Sequence, residues 1–277
     1  MERMTLRDIQ LVGLEILKDI HQFCMSHGIR YTLYGGTMLG AIRHEGFIPW
    51  DDDVDIAMPR EDYERFVNEY SSNRGYSLYC PEKDTSWLTY ARVCDTERTF
   101  VRNDWSPWCP YSTGVWVDVF PLDGAPDNPT GAEEQISKLK PLWISLFRYR
   151  ALKGTPMREK KSLPQVLRLA RIKFLKLFDG ISLEDVRSEY IRICKEVPFG
   201  ATGHYCNYSF LGYGIKEYQS MGDFARIISV PFEDTFFQCI RGYHQHMTNK
   251  YGDYMVPPEN HVQNGHGGYE FYWKDKE

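Results

Sequence analysis

Four aspartates in five positions, Asp51, Asp52, Asp53 and Asp55, run straight into the apolar residues Val54, Ile56, Ala57 and Met58, and Pro49 and Pro59 bound the segment. A short apolar run between prolines predicts a strand. The chain must therefore build a sheet in which one strand delivers several negative charges to one place. Alternation along that strand puts Asp53 and Asp55 on one face, lets Asp51 join them and turns Asp52 the other way. Carboxylates that share a face repel, and they stay ionised together only when a cation neutralises them. Oxygen donors of this kind suit a hard divalent ion, Mg²⁺ or Mn²⁺, which takes one or two carboxylates and completes its shell with water and substrate phosphate.

A glycine turn lies just upstream. Ile29 to Leu33 reads as a short strand, and Gly35 and Gly36 then let the backbone turn and approach a ligand with no Cβ in the way. Thr37 is expected to cap a short helix from Met38 to Ile42, whose free N–H groups would face an anion. Arg43 and His44 close that helix as candidate phosphate contacts. An acidic run alone reads as a solvated surface, and a glycine pair alone as a turn. Together at this spacing, with Phe47, Ile48, Trp50 and Ile56 around the acids, they point to metal-assisted phosphoryl transfer, with Trp50 and Asp51 bordering the substrate.

Two later strands bear on the same site. Val115 to Phe120 is apolar except for Asp118, a charge costly to bury without a partner, the alternative being a solvent-facing position on an edge strand. Arg92, in the strand-like Leu88 to Val93, is either a phosphate ligand or half of a structural ion pair. Asp123 is expected to cap a turn with Gly124.

The remainder sets the frame. The chain has 277 residues, long enough for a substantial core. Three segments are expected: a core over 1–125, a helical insert over 126–200 and a C-terminal part over 201–277 that completes the core. Thr5 with Asp8 reads as a capping box for a helix with Ile9, Val12, Ile16, Ile20 and Phe23 on one face, ending near Gly28. Helices and strands then mix, which predicts an α/β (α+β) mixed sheet flanked by helices. Between Lys138 and Lys176 stand twelve Lys or Arg and one acid, Glu159, within a net charge of −5 for the whole chain. That basic, helix-patterned stretch either touches an anionic membrane surface peripherally or is a solvated cover. No apolar stretch is long enough to span a bilayer and no signal peptide is evident, so a cytoplasmic protein is expected, either free or in peripheral contact with the inner face of the membrane. Nucleic acid is not an expected partner, because the chain is acidic and carries no recognition motif. Seven scattered cysteines form neither a disulfide framework nor a zinc pattern.

The segment from Gly35 to Met58 resembles the signature of the LicD family, phosphocholine transferases related to fukutin-type phosphotransferases. Two further blocks fit the same pattern: Trp116 to Asp123, and Tyr251-Gly252-Asp253-Tyr254-Met255 followed by Pro257-Pro258. They lie in the family's order, and the resemblance spans about residues 6 to 266. It implies a nucleotidyltransferase-like fold with the turn at Gly35-Gly36, an acidic pair at Asp53 and Asp55, and Asp118 as third acid. All three would be catalytic metal ligands, and His266 matches a position where the family tends to carry histidine. The implied donor is a CDP-alcohol, CDP-choline on the family analogy. The implied acceptor is a glycan or lipid-linked glycan of the cell surface, such as lipopolysaccharide or teichoic acid. Choline would need an aromatic cage, for which Trp105, Trp108, Tyr111 and Trp116 are candidates. Nucleotidyl transfer from a nucleoside triphosphate, a ribitol or glycerol phosphate donor, and a non-catalytic glycan-binding protein remain alternatives.

Overall fold

The computed structural model describes residues 1–83, 88–103, 113–153, 182–257 and 269–274. Its first helix, α1 (Leu6–His27), starts as the capping box requires. Thr5 Oγ1 accepts from Asp8 N at 3.1 Å and Asp8 Oδ2 accepts from Thr5 N at 2.8 Å. Gly28 ends it at φ +62°, a conformation that a Cβ would penalise. The buried face includes Ile16, Leu17 and Ile20, all fully enclosed, each contributing roughly 1.5–3 kcal/mol of burial.

That face packs on a mixed sheet. Its strands lie in the order β2 (Thr32–Leu33), β3 (Asp55–Pro59), β7 (Val115–Ala125), β5 (Ala91–Asp95) and β4 (Ser77–Tyr79). Only β3 and β7 run parallel; the other neighbours are antiparallel. The far end of β7 also pairs with β8 (His204–Cys206), which pairs with β9 (Tyr218–Ser220). The helices α2 (Gly35–His44) and α3 (Arg60–Glu69) flank β3. A smaller sheet joins β1 (Glu2–Arg3), β12 (Tyr269–Trp273) and β6 (Thr99–Asn103), and β10 (Ile227–Phe232) forms a hairpin with β11 (Thr235–Ile240). The architecture is thus the α/β mixed sheet with flanking helices read from the sequence.

Every residue of β7 is buried, and the strand runs five residues past Phe120. Asp123 therefore caps no turn. It stays in the strand because Arg60, at the head of α3, grips both its oxygens at 2.7 and 2.6 Å. Two helices, α4 (Pro129–Lys153) and α5 (Leu183–Cys194), pack together over a second cluster of buried side chains that includes Ile136, Leu139, Leu146, Val186 and Tyr190. Most of the basic stretch, beyond the backbone of α4, falls outside the described residues, as do Pro156 and Pro164. The helix α6 (Tyr243–Tyr251) follows the β10–β11 hairpin. Among the described residues no helix is long and apolar enough to cross a membrane.

Candidate active site

The glycine turn is tighter than the sequence implied. Tyr34 is still extended, its N–H bonded to the Asp55 carbonyl at 3.0 Å, and Gly35 then swings to φ +52° and opens α2 at once. Thr37 thus lies inside the helix and caps nothing. Its Oγ1 accepts from the Asp55 N–H at 2.8 Å, which ties the start of β3 to α2. The glycines are required by what faces them. A Cβ on Gly35 would sit 2.5 Å from Asp55 Oδ2, and one on Gly36 2.6 Å from Asp51 Oδ2. Two carboxylates thus press directly on bare backbone at the N-terminus of α2, where the helix presents its free N–H groups.

The strand begins only at Asp55, so alternation does not extend back through the acidic run. Asp51, Asp52 and Asp53 lie in irregular backbone, each half-buried, and each offers a carboxylate oxygen within 4.8 Å of the others. Asp52, expected on the opposite face, joins its neighbours for this reason. The loop is pinned from two sides: Asp51 N donates to Ile48 O at 3.0 Å, and buried Gln10 of α1 donates to Asp51 O at 3.0 Å. A gathering of hard oxygen donors at this spacing fits a divalent cation such as Mg²⁺ or Mn²⁺.

Asp118 sits directly across from Asp55 in the parallel register, so the two share a face. Both its oxygens are engaged. Arg92, its cross-strand neighbour on β5, donates to them at 2.6 and 3.0 Å, and Trp116 Nε1 adds a bond at 3.1 Å. The guanidinium stacks over the Trp116 ring at 4.2 Å. Of the two readings of Arg92 the structure gives the ion pair, and Trp116 turns its ring to that arginine. The other three cage candidates, Trp105, Trp108 and Tyr111, lie outside the described residues, as does His266.

Arg43 and His44 stand at the far end of α2 from the glycines, roughly 12 Å along a ten-residue helix. Arg43 donates to the Tyr254 carbonyl and to His44 Nε2, both at 2.9 Å. Trp50 is half-buried and adjoins Asp51. The six described cysteines are all buried, and burial raises the thiol pKa of Cys239 to about 12, away from any nucleophilic role.

The structure also brings in residues that the sequence did not flag. Tyr34 donates to Glu217 Oε2, and Glu217 Oε1 accepts from Lys250 Nζ at 2.6 Å; all three residues are buried. The Lys250 ammonium lies over the rings of Tyr34 (4.5 Å), Tyr213 (4.6 Å) and Tyr251 (5.7 Å). Burial and the charge of Glu217, with smaller contributions from Asp55 and Asp53, raise the pKa of Tyr213; burial, Tyr213 and Glu217, with smaller contributions from Asp55 and Asp51, raise that of Tyr251. Both rings therefore stand beside the acids as protonated phenols. Only the adjacency of Lys250 to the Tyr251-Gly252-Asp253 block hinted at this part of the site; Glu217 left no signal.

A glycine turn opens a helix against an acidic strand, with a third acid on the parallel neighbour, and the family match assigns this arrangement to a nucleotidyltransferase domain. Residues 28–145 match the family described as LicD/FKTN/FKRP, nucleotidyltransferase domain. The lipopolysaccharide cholinephosphotransferase LicD of Haemophilus influenzae is 32% identical over 278 residues, covering 95% of this chain and 98% of that protein. The human ribitol 5-phosphate transferase FKRP is 57% identical over 35 residues, 13% of this chain and 7% of its own length. The chain belongs to the LicD family and is an enzyme of its phosphotransferase type.

Proposed function

We propose that the enzyme transfers a phospho-alcohol group, phosphocholine foremost, from a CDP-alcohol such as CDP-choline to a hydroxyl of a cell-surface glycan or its lipid-linked precursor. The observation that carries this reading is the contact of Gly35 and Gly36 with the carboxylates of Asp55 and Asp51, a corner where bare backbone, helix N–H groups and acids meet. Similarity to the Haemophilus transferase along nearly the whole chain supports choline and a lipopolysaccharide-type acceptor. The short match to FKRP supports a phospho-alcohol on a broader view.

In this reading Asp51, Asp52, Asp53 and Asp55 hold Mg²⁺ or Mn²⁺, which when bound neutralises charge on the phosphoryl oxygens. The N–H groups of Gly35, Gly36 and Thr37 cradle the donor pyrophosphate. The acceptor oxygen bonds phosphorus as the bond to CMP breaks, and its proton passes to one of the half-buried carboxylates. Asp118 acts with Arg92 as a nearly neutral pair that fixes the sheet face beneath Asp55; direct ligation by Asp118 requires Arg92 to give way. The enzyme works in the cytoplasm, with the 138–176 stretch as its candidate contact with the inner membrane face.

The test is product analysis with Mg²⁺ and a panel of CDP-alcohols and nucleoside triphosphates, alongside Asp53→Ala. CMP from CDP-choline, lost in the variant, is the expected result. CMP from CDP-ribitol alone changes the alcohol, and pyrophosphate from a triphosphate replaces the reading by nucleotidyl transfer.

A further inference from the structure

A row of aromatic rings leads away from the acids, and nothing in the phosphoryl chemistry uses it. Trp143 of α4, Phe210, Tyr213 and Tyr251 of α6 follow one another with ring centroids 6.1, 5.9 and 6.3 Å apart, each pair edge to face. Phe210 and Tyr213 are 44% and 42% exposed, although rings of this size usually bury roughly 150–250 Å². Two adjacent rings left this open beside the acids are a candidate binding surface. The loop is shaped to carry them. A Cβ on Gly212 would meet the Phe210 ring at 2.6 Å, and Gly214 turns the chain at φ +55°.

The inner end of the row is anchored at the site. Tyr213 and Tyr34 flank the same Lys250 ammonium, and Tyr34 is the residue before Gly35. Two ligand groups use aromatic faces, and they need different geometry. A trimethylammonium is one point of charge that needs rings converging on it. Where the rings of Tyr34, Tyr213 and Tyr251 converge, the chain's own Lys250 ammonium fills the space. Beyond that point Phe210 and Tyr213 stay open to solvent, which suits a larger ligand whose C–H groups rest on ring surface while its hydroxyls stay in water.

We propose that Phe210 and Tyr213 form the acceptor subsite, gripping the sugar units next to the hydroxyl that receives the phospho-alcohol; this rests on the transferase reading of the acids above. The test probes an oligosaccharide array with the full-length native chain, Asp53→Ala, Phe210→Ala and Tyr213→Ala, and measures CDP-choline binding by calorimetry. The native chain and Asp53→Ala are expected to retain the same glycans. Phe210→Ala and Tyr213→Ala should weaken that retention roughly tenfold and weaken CDP-choline binding less. Phe210→Ala removes an exposed ring outside the Lys250 cage, so its loss is not a loss of fold, and a thermal melt checks this. Equal retention by both ring variants, retention of no glycan by the native chain, or a larger loss for CDP-choline than for glycan overturns the subsite. Ring-dependent glycan retention by a chain that releases no CMP upholds the subsite and removes the phosphocholine reading.

Discussion

Aspartates are held in opposite ways on the two parallel strands at the centre of this enzyme. On β7, Asp118 and Asp123 are buried, and each is clamped through both oxygens by an arginine, Arg92 and Arg60. Around the start of β3, Asp51, Asp52, Asp53 and Asp55 are only half-buried and crowd against one another or against bare glycine backbone. A buried carboxylate forked by arginine holds its charge satisfied and has little left to offer a ligand. Half-buried carboxylates gathered side by side repel one another, and a bound cation would relieve that repulsion. The first arrangement holds the sheet together; the second is the candidate site.

The largest effects should come from the β3 side, and on activity alone. Asp53→Ala and Asp55→Ala are expected to lower CMP release on the order of 10³-fold while the thermal midpoint stays level or rises, since each removes like-charge repulsion. A fall in both together would show that these acids are structural and break the contrast. Gly35→Ala should follow at about 10²-fold in activity, because a methyl displaces Asp55 and shifts the reacting groups. It also costs roughly 1–2 kcal/mol for the left-handed backbone. Gly36→Ala, with no positive φ, separates the two terms: it should lose activity with little loss of stability.

On β7 the signs reverse. Asp123→Ala leaves Arg60 buried and unpaired, and such a break costs about 3–5 kcal/mol, read as a lowered denaturant midpoint. Turnover per folded molecule should change little. Asp118 is the sharper case, because it is clamped like Asp123 yet stands across from Asp55. Asp118→Asn keeps the shape and removes the charge that Arg92 needs. A stability loss accompanied by only a modest rise in KM makes Asp118 a positioning residue. Loss of kcat with stability kept would instead make it a metal ligand and merge the two groups.

The contrast explains what the sequence could disclose. The glycine turn, the acidic strand and Asp118 were legible because charge in an apolar run and a glycine pair are local signals. The capping box of α1 was legible for the same reason. The boundaries were not. The apolar pattern does not mark where pairing starts, so in the sequence the strand reaches back through Asp51–Asp53, whereas pairing starts where Asp55 meets Thr37 and Asp118. Asp123 reads as a turn residue in the sequence because the arginine that permits its burial lies 63 residues away. Glu217 leaves no signal in the sequence and Lys250 only its place beside Tyr251, since a buried ion pair looks like two surface charges until the fold closes around it. Strands β6 and β12 are short and find each other across most of the chain, a pairing with no local signature.

The smallest effect is a third way of burying an ionisable group. His246 on α6 is enclosed behind the site, in contact with the Tyr34 ring, with Nδ1 3.2 Å from the Tyr205 hydroxyl and Nε2 meeting no hydrogen-bond partner among the described residues. Burial, assisted by Lys250, lowers its pKa to about 3 from the usual 6.5. The unfolded chain therefore takes up a proton below about pH 6.5 that the folded chain refuses until about pH 3. Stability on this account is full above pH 6.5 and falls with acidification through that window. One pKa unit corresponds to about 1.4 kcal/mol, so pH 5 should cost about 2 kcal/mol. Denaturant titrations at pH 7 and pH 5 should show this loss in the native chain and a flatter response in His246→Gln. An unchanged slope in the variant would mean that the acid sensitivity lies elsewhere than at His246.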